Sequence, residues 1–144
     1  MTAIRSPLAL KPLLLADAAT CSAMGIVLTA GPGLIGQATR IPPALLFYAG
    51  AILFPIAAFM AVVALCRPIP GPAAWLVVAG NAGWVAGSAL LLLAGWIAPN
   101  GLGVAFVAAQ ALAVALLAAL EHNALRRAAS AHAGRKPARQ SLTP

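Results

Sequence analysis

At 144 residues, 62% of them hydrophobic and 8% charged, the chain has more apolar surface than a soluble domain of its length could hide. A water-soluble globular domain is therefore excluded, and lipid becomes the solvent for most of the residues. The net charge of +7, with only two acidic side chains, would suit nucleic acid. The basic residues, however, lie outside the apolar runs with no aromatic stripe among them, so membrane topology explains the charge and no nucleic-acid partner is expected.

Residues 1–11 read as a short cytoplasmic N-terminal segment carrying Arg5 and Lys11. Four apolar stretches follow, each able to cross about 30 Å of hydrocarbon with about 20 residues. The first spans 13–35, with Pro12 in its opening turn, where a missing N–H costs nothing. Its firmest part ends at Ala30, where "GPGLIGQATRIPP" is expected to break the helix and supply a loop. A cleaved signal peptide is not expected, because the apolar core before Asp17 is only Leu13–Ala16 and hydrophobicity resumes afterwards. The second stretch spans 44–66, with Pro55 as a kink, and "RPIPGP" is a stiff turn that ends it. The third spans 73–98 and closes at "APNG"; the fourth spans 102–125. Residues 126–144, polar and basic, are expected to be disordered beyond their first turn.

These elements predict an all-α membrane protein: four transmembrane helices in an antiparallel up-down bundle over residues 12–125. Placing both termini inside puts Arg5, Lys11, Arg67, Arg126, Arg127, Arg135, Lys136 and Arg139 on the cytoplasmic side and leaves only Arg40 outside. Tyr48 and Trp96 then fall at the outer interface as anchors. The Ala-, Leu- and Arg-rich, Lys-poor usage fits a high-GC bacterial genome, hence a bacterial cytoplasmic (inner) membrane. The expected partners are the lipid bilayer and either another membrane protein or a second copy of the chain.

The two acids stand out. Asp17 falls about 8 Å into the first helix and Asn81 about 12 Å into the third, at about 1.5 Å per residue. Glu121 lies one turn before the inner end of the fourth. All three share the cytoplasmic half, with Ser88 and Gln110 farther out. Helical spacing groups Asp17 with Thr20, Cys21 and Met24, Asn81 with Trp84 and Ser88, and Gln110 with Val114, Leu117 and Glu121. A polar stripe avoids lipid only by facing other helices, so Asp17, Asn81, Glu121, Ser88 and Gln110 form a candidate intramembrane cluster. The plainer account is packing glue, at about 0.6 kcal/mol per group. The functional one is that a carboxyl removed from water exchanges protons.

Other chemistry finds little support. Cys21 and Cys66 have no metal or disulfide spacing. His122 and His132 cannot face each other across a bundle as haem ligands. No phosphate-binding loop or catalytic triad is present, so no metal, cofactor or enzymatic activity is expected. Ala79, Gly83 and Gly87 form a small-residue face, read as close helix packing within the bundle rather than as a dimer interface.

Asp17, Ala49-Gly50, Pro55 and the "NAGW" of Asn81–Trp84 give the chain a resemblance to uncharacterised bacterial small four-helix integral membrane proteins. That resemblance covers most of the chain and implies a fold but no activity. Four short helices with an acid in the first are also similar to the small multidrug resistance transporters, in which a membrane-embedded glutamate alternates between protons and cationic drugs. Only Asp17 matches that pattern. The family's aromatic-lined pocket and glycine-rich third-helix signature are not found in "LVVAGNAGWVAGSALLLLAGW", and the charge bias fixes a single orientation. Two functions are carried forward: a non-enzymatic structural or accessory membrane component, and a small proton-coupled transporter using Asp17.

Overall fold

The computed structural model describes residues 3–4 and 10–133. These residues form five helices and one two-stranded ladder: α1 Leu10–Ala30, α2 Pro32–Thr39, α3 Pro43–Leu65, α4 Gly71–Leu93, α5 Gly101–Ala133, with β1 Ala3–Ile4 antiparallel to β2 Ile69–Pro70. α1, α3, α4 and most of α5 are each long and apolar enough to cross a membrane. The chain is a multi-pass helical membrane protein.

Several boundaries differ from those expected, each for a local reason. The stretch anticipated as a loop after Ala30 is mostly helix. Gly31 bends the chain, yet its N–H still donates to the Val27 carbonyl, and Pro32 begins α2 at a position where no N–H is needed. α4 stops at Leu93 rather than 98, because Gly95, at φ +68°, takes the left-handed position that ends the helix. α5 does not end at 125 but continues to Ala133. Residues 126–133 are rich in Ala and Arg, strong helix formers, and contain neither Gly nor Pro. The rest of the segment expected to be disordered, 134–144, lies outside the described residues, as do residues 1–2 and 5–9 of the N-terminal lead.

α1 packs along α3, α4 packs along α5, and α1 also meets α5, whereas α3 and α4 touch only sparsely. The α1 seam runs through Leu14, Ala18, Cys21, Gly25 and Leu28 at three- and four-residue spacing. Its α3 counterpart runs through Leu46, Gly50, Leu53, Ala57 and Met60. The two helices come closest at their glycines. A Cβ on Gly25 would lie 3.1 Å from the Gly50 carbonyl oxygen, and one on Gly50 only 2.7 Å from Leu28 Cβ.

The small-residue face of Ala79, Gly83 and Gly87 does not pack as expected. All three are exposed, and a Cβ at Gly83 or Gly87 would meet nothing within 4 Å. The spacing of small residues identifies a helix face but not what stands opposite it. Asn100 ties the last turn of α2 to the first turn of α5. Its Nδ2 donates to the Ala38 carbonyl at 2.7 Å, and its Oδ1 accepts from the Gly103 N–H at 2.9 Å, capping α5.

This packing predicts opposite outcomes for one substitution at two glycines. Gly50→Ile is expected to lower thermal stability in detergent by roughly 1–3 kcal/mol, the usual range for overpacking a tight contact. Gly87→Ile is expected to leave it nearly unchanged. Circular-dichroism melts of the two variants test this, and equal losses would contradict the assignment of the tight contact.

Candidate functional site

Three polar side chains from three helices meet inside the bundle. Asp17 on α1 and Glu121 on α5 are 0% exposed, and Asn81 on α4 is 5% exposed. The Asn81 Nδ2 donates to Asp17 Oδ2 at 2.6 Å and to Glu121 Oε2 at 3.3 Å, so one amide nitrogen serves both carboxyl groups. Asp17 Oδ1 accepts a long contact from the Cys21 thiol, one turn along α1, at 3.8 Å. Glu121 Oε1 is buried with no hydrogen-bond partner among the described residues.

Each helix delivers its group for a visible reason. Asp17 sits in the α1 seam between Leu14 and Cys21. Asn81 continues the buried face of α4 from Ala74 and Val77. Glu121 shares its α5 face with Ala124, Leu125 and Ala128, all buried. Among the described residues, neither acid has a Lys or Arg ion-pair partner. The arrangement is two carboxyl groups, one amide and no cation in an apolar interior.

Asp17 and Asn81 also face a cavity of about 680 Å³ whose walls come from α1, α3, α4 and α5. Met24, Ile56, Phe59, Val77, Trp84 and Leu117 make most of that wall apolar. Glu121 does not line it, so Asp17 is the acid that faces the cavity and Glu121 lies behind the Asn81 amide. A second cavity of about 440 Å³ lies farther along the bundle and is lined in part by Gly83, Gly87, Ser88 and Phe106.

The structure therefore brings Asp17, Asn81 and Glu121 together and leaves Ser88 and Gln110 apart from them. Ser88 lines the second cavity, and Gln110 lies at the wall of both. Thr20, on the same predicted stripe as Asp17, is exposed, and its hydroxyl donates to its own helix at the Ala16 carbonyl, 3.0 Å away. His122 stacks edge-on against Trp75 with ring centroids 5.1 Å apart, away from the cavity wall. No group of three or more metal-ligating side chains converges among the described residues. Sequence reasoning did not reveal the cavities or the Gly25–Gly50 contact. Only the two glycines themselves hinted at the latter. No family model, curated protein or solved structure matches the chain.

The double hydrogen bond makes Asn81 testable. Asn81→Leu is expected to destabilise the protein by about 1–3 kcal/mol, the cost of leaving buried polar groups unsatisfied. In a background where Asp17 and Glu121 are both leucine, the same change is expected to cost almost nothing. Comparing the two losses in detergent unfolding measures the coupling, and equal losses would mean that Asn81 acts through packing alone.

Proposed function

We propose that this chain is a non-enzymatic, small proton-coupled carrier of a bacterial cytoplasmic membrane, folded as an antiparallel up-down bundle with both termini on the cytoplasmic side. One observation carries the reading: a buried pair of carboxyl groups, without a cation among the described residues, lies against a ligand-sized cavity, with Asp17 among the residues of its wall. Pockets that hold small molecules commonly fall between about 300 and 1,000 Å³.

The chemistry follows from the charge balance. Two ionised carboxylates beside each other in an apolar interior repel, and among the described residues no Lys or Arg offsets either charge. Holding one proton removes that repulsion and supplies a donor where Asn81 alone cannot satisfy four carboxyl oxygens. The titratable groups facing Asp17 are Glu121 from α5 and Cys21 from α1; α3 and α4 contribute none. A solute that changes the polarity beside Asp17 therefore changes how firmly the pair holds its proton. That linkage is the minimum a proton-coupled carrier requires.

Topology has its own support. β1 joins the loop before α4, while Asn100 joins the last turn of α2, which fits connections at two opposite ends. The eight-to-one distribution of Lys and Arg supports cytoplasmic termini. A second reading, a structural or accessory component, is favoured by the way Asn81 ties three helices together. On that reading the cluster only holds helices and no proton moves.

Two measurements test the proposal. Reporter fusions at each terminus are expected to place both in the cytoplasm; an external C-terminus contradicts the topology. Proteoliposomes carrying an internal pH-sensitive dye, challenged with lipophilic cations, neutral solutes and anions, are expected to move protons for at least one class, and Asp17→Asn is expected to abolish the signal. Proton movement for no class, or an unchanged signal in Asp17→Asn, favours the structural reading.

A further inference from the structure

The two cavities are stacked along the bundle, and every helix divides its lining in chain order. On α1 the first cavity ends at Val27 and the second takes Leu28. On α3 the second ends at Ala49 and the first begins at Leu53. On α5 the second has Phe106 and Val107, while the first has Ala113, Val114 and Leu117. Two residues line both: Trp84 on α4 and Gln110 on α5. On the opposite side, at the same level, lies the Gly25–Gly50 approach of α1 and α3. The bundle therefore has a waist, with a rigid backbone contact on one side and two side chains on the other.

The side chains at that waist are unevenly held. Residues three and four positions away on a helix are the neighbours that confine a side chain. For Trp84 these include Gly80 and Gly87, and Gly83 precedes it. A Cβ at any of these three glycines would meet nothing within 4 Å. Trp84 is half-buried and packs against the hydrophobic core on one flank, while the glycines beside it on α4 leave open space on the other. This gives the unpacked glycine face of α4 a role that helix packing does not.

We propose that Trp84, with Gln110 beside it on the same side of the waist, is a gate between the two cavities. The indole swings over the glycine face of α4 to join them into one path leading to Asp17. Gly80, Gly83 and Gly87 keep that path of motion clear. The gate rests on the carrier reading for what crosses it, but its existence is a separate matter that a chemical probe can read.

Cys21 supplies the reporter, since it lines the first cavity beside Asp17 while Cys66 lines neither. In a Cys66→Ser background, a charged, membrane-impermeant methanethiosulfonate reagent is added to proteoliposomes on the Trp96 side, where the second cavity lies. Trp84→Ala is expected to speed Cys21 modification roughly ten-fold or more, equivalent to lowering a barrier by about 1.4 kcal/mol. Gly80→Leu puts a bulky side chain into the open space on the glycine face, where the indole would swing, and is expected to slow modification below the native rate. An unchanged rate in both variants, with native-like melts, overturns the gate. If Trp84→Ala proves unstable, Gly80→Leu alone decides: slower modification supports the gate and an unchanged rate overturns it. Proton flux in the same vesicles separates the two claims. Faster modification of Trp84→Ala with no Asp17-dependent proton movement supports the gate and overturns the carrier reading.

Discussion

A single carboxamide holds the interior of this protein together. In hydrocarbon no water is present to satisfy polar groups, so each must find its partner within the bundle. Asn81 gives one hydrogen bond each to Asp17 and Glu121 and so connects α1, α4 and α5, although Glu121 Oε1 is left without a partner among the described residues. α3 contributes nothing polar to that junction. It is held instead by shape, through the close approach of Gly50 to α1. Three helices joined by polarity and a fourth by packing leave the α3–α4 side thinly closed, and the cavities lie within that arrangement.

Magnitudes bear on the proposed role of the cluster. A hydrogen bond between membrane helices contributes about 0.6 kcal/mol on average. A charged side chain at mid-membrane costs about 2.5–3.5 kcal/mol even on the more lenient insertion scales. Nearer the membrane face the cost is smaller, but two buried charges with no cation beside them among the described residues are still poorly offset by two hydrogen bonds from one amide. As a device for stability alone the cluster is a poor choice, since apolar residues of similar size would hold the helices as well or better. On the proposed reading, the acids are held at that cost because their protons move. Asp17, facing the cavity, couples to the solute, and Glu121, behind Asn81, keeps the second position for the proton.

Much of this was legible in the residues. The rise of a helix, counted from Pro12 and Ala73, sets Asp17 and Asn81 at similar depths, and helical phase turns both inward. That is sufficient to bring them near Glu121, because depth and phase are properties of each helix separately. The expected close packing at Ala79, Gly83 and Gly87 is not present for the converse reason. Close packing is a property of two helices, and one sequence motif cannot say what faces it. The cavities were hidden in the same way, arising from how four helices are offset. Boundaries moved where two local preferences compete: Gly31 and Pro32 bend the chain, yet Pro32 is also an excellent first residue for α2. The Arg- and Ala-rich 126–133 is polar enough for solvent and strongly helical as well.

The central claim is that Asp17 and Glu121 share a proton inside the membrane. The sequence makes this unusually direct to measure, because these are the only two acidic side chains in the chain. Infrared difference spectroscopy of the protein in ether-linked lipid, which has no ester carbonyl to overlap the carboxylic-acid band, read at neutral pH against Asp17→Asn and Glu121→Gln, resolves protonated carboxyl from carboxylate. The account predicts a carboxylic-acid carbonyl band in the native protein that is perturbed in both variants and shifts in Asn81→Leu. A native spectrum with both side chains fully ionised and no such band would contradict it.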